Sequence, residues 1–267
     1  YDETRREVRR LHMDIYYRPM LPINAGLDDE QVELSANAMQ ERFASIGFAD
    51  PDAAMRHVTA LTAGISRAAK INRILLPAAL QWLGGGQNPD MGLLNWRKLE
   101  EHFGTDSEYL GFLRDSPSAA QRLCHILSNS RFLGDALNKS VESVTWLGSD
   151  NDLQPRSRES LDVQTHASLE RNAGSINDFA NSIRAMRRHE IERIGLGWMS
   201  GVIDDKASLA GMTDVYDAAI DASLTWAIRH QTQEMGLDEA PAAIAVIGMG
   251  RYGGREVNFS SDADVII

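Results

Sequence analysis

Residues 244–267 allow only seven residues, 255–261, between the glycine-rich turn that ends at Gly254 and the next run, Asp262 to Ile267. That spacing constrains the fold more than any other feature. Gly248, Gly250 and Gly253 spell G-x-G-x-x-G directly after an apolar strand beginning at Ile244, the pattern of a dinucleotide-binding crossover. Such a crossover needs a helix of about ten or more residues before the next strand, and an acidic residue about 20 positions further on. The seven residues available include Val257, Asn258 and Phe259, which favour turn and strand over helix. The two strands are therefore expected to be antiparallel neighbours joined by a glycine bend.

The returning strand carries Asp262 and Asp264. Side chains one residue apart on a strand share a face, so this pair can hold a divalent metal against a nucleoside triphosphate. Two ionised carboxylates this close repel, and a bound magnesium pair removes that cost. In two-metal transfer one ion activates the attacking oxygen and the other neutralises the leaving diphosphate. A third carboxylate normally completes such a site and is expected beyond Ile267. Gly248 and Gly250 permit positive dihedrals and close approach, while Gly253 and Gly254 let main-chain amides face phosphate oxygens. Ser260 and Ser261 offer hydroxyls to phosphate or metal-bound water. Arg251 and Arg255 can add charge to this cradle, Arg251 reading equally well as an exposed turn cation, and Glu256 and Asn258 are expected to support the turn by hydrogen bonds.

With these residues in place, GMGRYGGREVNFSSDADVII (residues 248–267) resembles the signature of the bacterial glutamine-synthetase adenylyltransferases, members of the polymerase-β-like nucleotidyltransferase superfamily. The likeness extends upstream. ETRREVRRLHMDIYYRPML resembles the helices that close the first half of those two-part proteins, and GFADPDAAMRHVTALTAG, LLPAALQWL, GLLNWRKL and RAMRRHEIERIGLG resemble the helical region leading into the second half. The resemblance implies Mg²⁺ at Asp262 and Asp264, ATP as substrate and glutamine synthetase as protein substrate, with a PII-type signal protein as a further partner. It implies transfer of AMP to a tyrosine. Asn258, Phe259 and Ser260 look more like the first-half motif, whose activity is phosphorolytic removal of AMP, so that direction stays open. A different class of role, a helical module that binds a partner and couples the two activities, is motivated by the more than 200 residues that precede the motif without a catalytic constellation.

Composition agrees with this reading. A net charge of −11 argues against nucleic acid or an anionic membrane as the main target. The one cysteine, Cys124, excludes an internal disulfide and fits a reducing cytoplasm; it reads as a buried small hydrophobe beside Leu123 and Leu127. No apolar run is long enough to span a bilayer. Without an initiator methionine, and ending inside a strand, the sequence reads as part of a longer protein and is expected to be inactive alone.

The expected fold class is mainly α, a helical bundle region followed by the first β-hairpin of an α/β nucleotidyltransferase domain. Residues 1–24 read as the closing helix and linker of a preceding domain, 25–150 as a helical domain, 151–240 as long helices and 241–267 as the start of the catalytic domain. A helix over residues 2–18 gives way to a linker at 23–29. Asp50 and Pro51 start a helix along which Met55, Val58, Leu61 and Ile65 recur, and the next helix carries Pro77 as a kink or split before Gly84 to Gly86. Five short amphipathic segments follow between Leu94 and Leu147. A polar stretch, 148–158, is the candidate inner boundary, and two long helices come after it, around Ile183 to Trp198 and Met212 to Ile228. Arg184, Arg187, Arg188 and Arg193 are expected to pair with Glu190 and Glu192. His189 and Glu190 imitate a zinc-helix motif, but position 193 is Arg, so no metal site is expected there. Trp82, Trp96, Tyr109 and Phe112, with Tyr16 and Tyr17, read as core or interface anchors.

Overall fold

Short polar side chains ahead of each apolar run decide where the helices begin. In a computed structural model, which describes residues 38–267, Asp50 caps α1 (Pro51–Thr62) by accepting from the amide of Ala53 at 2.9 Å. Ser66 caps α2 (Arg67–Gly84) and Asn88 caps α3 (Pro89–Phe103) in the same manner. Asp106 caps α4 (Ser107–Asp115), while Pro117 opens α5 (Pro117–Asn129) without a side-chain cap. Ser130 and Ser140 cap α6 (Arg131–Leu137) and α7 (Val141–Trp146). Each cap satisfies an amide that the helix itself leaves unpaired, which lets helices of only a few turns stand between abrupt bends. The helix at 2–18 and the linker at 23–29 lie outside the described residues.

The described chain divides into two compact units, one ending at Ser149 and the other beginning at Asp150. In the first, α3 and α5 pack closely at Gly92, where a Cβ would lie 2.7 Å from Leu83 Cδ2 and 3.0 Å from Ser128 Cβ. Trp96, Tyr109, Leu123 and Cys124 are fully buried there. The indole of Trp96 donates to Asn72 at 3.2 Å and the Tyr109 hydroxyl donates to Glu100 at 3.1 Å, so both buried polar ends are satisfied. All five short segments are helices. One local expectation needs correction, since Ile65 falls beyond α1 and is 88% exposed; of the two alternatives for Pro77, the split is excluded, because it sits within a continuous α2.

The second unit contains three long helices, where two were expected. Between 148–158 and the helix around Ile183 lies α8 (Arg158–Arg171), followed by α9 (Ile176–Met199) and α10 (Asp205–Glu234). The buried face of α8 is Leu161, Thr165, Ser168 and Leu169, half of it hydroxyl side chains, so its apolar periodicity is weak. The Ser168 and Ser182 hydroxyls meet between α8 and α9. The stretch leading into α8 is itself packed: Leu153 is fully buried, and a Cβ on Gly197 or Gly211 would strike Leu153 O at 2.3 Å or Pro155 Cβ at 2.8 Å. Of the expected Arg and Glu pairs, Arg193 pairs with Glu190 at 3.2 Å and Arg156 adds a second cation at 3.3 Å. Arg187 instead lies over the Tyr216 ring at 5.4 Å, and Arg184 donates to Asn181.

Candidate active site

After Gly236, at φ +67, the chain runs to β1 (Ile247–Gly248), a helical turn α11 (Gly250–Gly253) and β2 (Val265–Ile266). The strands pair antiparallel, Ile247 opposite Ile266 and Gly248 opposite Val265, and the ladder continues as the Met249 amide donates to Asp264 O at 2.8 Å. The antiparallel hairpin expected from the seven-residue spacing is present. Both strands are shorter than expected: residues 243–246 are unpaired with pairing beginning only at Ile247, and β2 begins at Val265, so Asp262 and Asp264 stand just ahead of it in extended chain instead of on the returning strand itself.

The glycines act on the backbone. Gly250 takes φ +53, where a side chain is strained. A Cβ on Gly253 would lie 2.3 Å from Gly248 O, so the turn closes backbone against backbone. Gly248 lies against Tyr252, whose Cδ1 stands 2.9 Å from its notional Cβ. Gly254 is relaxed, at φ −81. The amides expected to face phosphate are committed within the turn: Gly253 N donates to Met249 O at 2.8 Å and Gly254 N to Gly250 O at 3.0 Å. The glycines therefore shape the bend, and the amides of Gly253 and Gly254 have no lone donor to offer.

Asn258 does what was expected of a turn-supporting residue. Its Oδ1 accepts from Ser260 N at 3.1 Å, Ser260 Oγ at 3.0 Å and Ser261 Oγ at 3.0 Å, while its amide donates to Ser261 Oγ. Both serine hydroxyls thus donate to the loop through Asn258. Arg255 is likewise engaged elsewhere: its guanidinium meets Asp214 at 2.5 Å and Asp217 at 3.3 Å on α10. Arg251 is exposed.

The inward residues of the hairpin are Tyr252, Val257 and Ala263, which pack on Leu161, Met186, Ile194, Met212, Val215 and Ala218. Ala263 faces this core, and Asp262 and Asp264 on either side of it are exposed. The three residues lie in extended chain immediately ahead of β2. Neither carboxylate has an ion-pair or hydrogen-bond partner among the described residues, and Asp264 Oδ2 lies 3.6 Å from where a Cβ on Gly250 would sit. Magnesium takes one or two protein carboxylates and completes its octahedron with water and substrate phosphate oxygens. Two exposed, unpartnered oxygen donors of this kind fit that demand. Among the described residues no group of three or more His, Cys, Asp or Glu side chains is gathered for a metal ion.

Sequence reasoning missed the residues of α10 that hold the hairpin. The Tyr252 hydroxyl donates to Asp217 Oδ1 at 2.7 Å; burial first, and then the Asp217 carboxylate, push its pKa well above the ordinary phenol value, so it stays a donor. Asp217 also faces Arg158 at 3.6 Å, and Asp221 faces Arg158 at 3.3 Å. Asp214, Asp217 and Asp221 recur at helical spacing, and that acidic stripe was the available signal.

The candidate site is thus an antiparallel hairpin with a glycine turn and two exposed carboxylates, Asp262 and Asp264, just ahead of its second strand. The chain belongs to the glutamate-ammonia ligase adenylyltransferase family, whose model matches residues 120–267, more than half of it. A protein named bifunctional glutamine synthetase adenylyltransferase/adenylyl-removing enzyme from Bifidobacterium longum (strain NCC 2705) is 76% identical over 267 residues, all of this chain and 25% of the relative. Proteins of the same name from Leifsonia xyli subsp. xyli and Streptomyces coelicolor are 41% and 37% identical, over 100% and 97% of this chain and 26% and 27% of theirs. The chain thus spans about a quarter of the length of the curated relatives it matches. No helix among the described residues is long and apolar enough to cross a membrane.

Proposed function

We propose that this chain is the part of a glutamine synthetase adenylyltransferase that carries the opening hairpin of a polymerase-β-like nucleotidyltransferase domain, together with the helices that support it. The whole enzyme transfers AMP from ATP to a tyrosine hydroxyl of glutamine synthetase. The observation that carries this reading is the pair of exposed, unpartnered carboxylates, Asp262 and Asp264, flanking the inward-facing Ala263 just ahead of β2 and after the glycine turn. Asp262 and Asp264 would hold Mg²⁺, which when bound neutralises charge on the phosphates and on the departing diphosphate. The chain's own contribution is orientation. The Gly248 to Gly254 bend brings the strands together, Asn258 fixes the loop before Asp262, and α10 anchors Tyr252 and Arg255. In the reaction the tyrosine oxygen attacks the α-phosphorus in line and diphosphate leaves with the bonding electrons. A PII-type signal protein is the proposed regulatory partner, and the cytoplasm the proposed location.

A second reading is favoured by Asn258, Phe259 and Ser260, which look more like the adenylyl-removing version of the motif: phosphate would attack the AMP-tyrosine bond and release ADP. Both readings require the same carboxylates. In the full-length enzyme Asp264→Ala is expected to abolish transfer of radiolabelled AMP from ATP while leaving the thermal midpoint within a few degrees. Retained turnover would reject the assignment. Loss of phosphate-dependent AMP release alone, with transfer intact, would move the hairpin to the second reading.

A further inference from the structure

Resting on that nucleotidyl-transfer reading, we propose that Tyr216 and Asp217 of α10 are positioning residues that set the affinity of the Asp262 and Asp264 pair for a divalent metal. The Tyr216 hydroxyl donates to the carbonyl of Ser261 at 3.1 Å, and Ser261 directly precedes Asp262. Rotation of that peptide plane, which would swing the Asp262 carboxylate, breaks this bond. Asp217, the next residue, holds the other end of the same loop: Oδ1 accepts from the Tyr252 hydroxyl at 2.7 Å and Oδ2 faces Arg255 at 3.3 Å. Arg255 has φ +57, a conformation that side chains disfavour. Residues held in such regions persist where their surroundings over-determine them, and the two carboxylates of Asp214 and Asp217 supply that restraint.

Two successive residues of one helix therefore grip segment 252–261 at its start and its end. Neither touches Asp262 or Asp264, which keep their oxygens free. Their effect on metal is transmitted through the backbone, by holding two like-charged side chains in the geometry that a cation rewards. Tyr216→Phe removes the hydroxyl, and with it a long contact from the Arg187 guanidinium at 3.5 Å, but keeps the ring, against which Arg187 lies at 5.4 Å and Tyr252 at 6.4 Å.

The test is a Mn²⁺ titration of the full-length enzyme, free ion being followed by electron paramagnetic resonance, with AMP transfer measured in parallel. Tyr216→Phe and Asp217→Asn are expected to weaken Mn²⁺ binding roughly three- to tenfold, the scale of one lost hydrogen bond, and to raise the metal concentration for half-maximal rate equally. The rate at saturating metal changes less. Should Asp217→Asn lower the thermal midpoint, Tyr216→Phe decides alone. Wild-type Mn²⁺ affinity in Tyr216→Phe, alongside its loss in Asp264→Ala, overturns the positioning role and leaves the functional reading standing. Wild-type affinity in Asp264→Ala overturns both.

Discussion

Replacing Gly253 with alanine forces a Cβ to 2.3 Å from Gly248 O and 2.8 Å from Gly248 C. Both neighbours are backbone of β1, so relief requires the strand to move by about an ångström, and overpacking of this kind costs about 1–3 kcal/mol. With no flexible side chain to yield, Gly253→Ala belongs at about 3 kcal/mol. Gly250→Ala has room, its Cβ meeting only Asp264 Oδ2 at 3.6 Å, but keeps φ +53. Its strain of about 1–2 kcal/mol is offset by roughly 0.4–1 kcal/mol from a stiffer unfolded chain, for a net cost of about 1 kcal/mol. Gly254→Ala, at φ −81 with its nearest neighbour 3.4 Å away, is near neutral. Hydrogen exchange at the Met249 amide, which donates to Asp264 O, reads this series locally. The expected losses of protection are about a hundredfold for Gly253→Ala, about fivefold for Gly250→Ala and none for Gly254→Ala. Equal losses at positions 253 and 254 would refute the steric account and return the glycines to a direct role at phosphate.

Leu161→Ala removes a fully buried side chain from the core on which Tyr252 and Val257 rest, and is expected to cost about 2–5 kcal/mol in chemical denaturation; a loss below 1 kcal/mol would mean that α8 does not support the hairpin. Burial raises the Glu100 pKa against the opposing hydrogen bonds of Tyr109 and Asn72, and Oε2 has no partner. A carboxyl whose folded pKa is raised penalises the folded state above that pKa, and the penalty fades as pH falls through it toward the ordinary carboxylate range. Glu100→Gln should therefore raise the thermal midpoint at neutral pH, with a gain that shrinks on acidification; a gain independent of pH would contradict this assignment.

Much of the hairpin was legible because a spacing rule decided it: seven residues cannot hold a crossover helix, so the strands had to return antiparallel. The five short helices were legible for a related reason, their polar caps and prolines standing beside compact apolar runs. α8 escaped because burial there falls on Thr165 and Ser168, which a hydrophobic pattern does not count. The bonds of Ser260, Ser261 and Arg255 escaped because each residue type serves phosphate and loop equally well. The choice depends on Asn258 Oδ1 and on an acidic helix face some 40 residues earlier in the chain, at Asp214 and Asp217.

The most direct measurement is the anomalous signal of Mn²⁺ in crystals of the full-length enzyme grown with a non-hydrolysable ATP analogue. The account predicts a peak about 2.0–2.3 Å from carboxylate oxygens of both Asp262 and Asp264, with nucleotide phosphate completing the shell. Bound nucleotide with manganese away from both carboxylates, or with the two side chains turned to opposite faces of the hairpin, would contradict it.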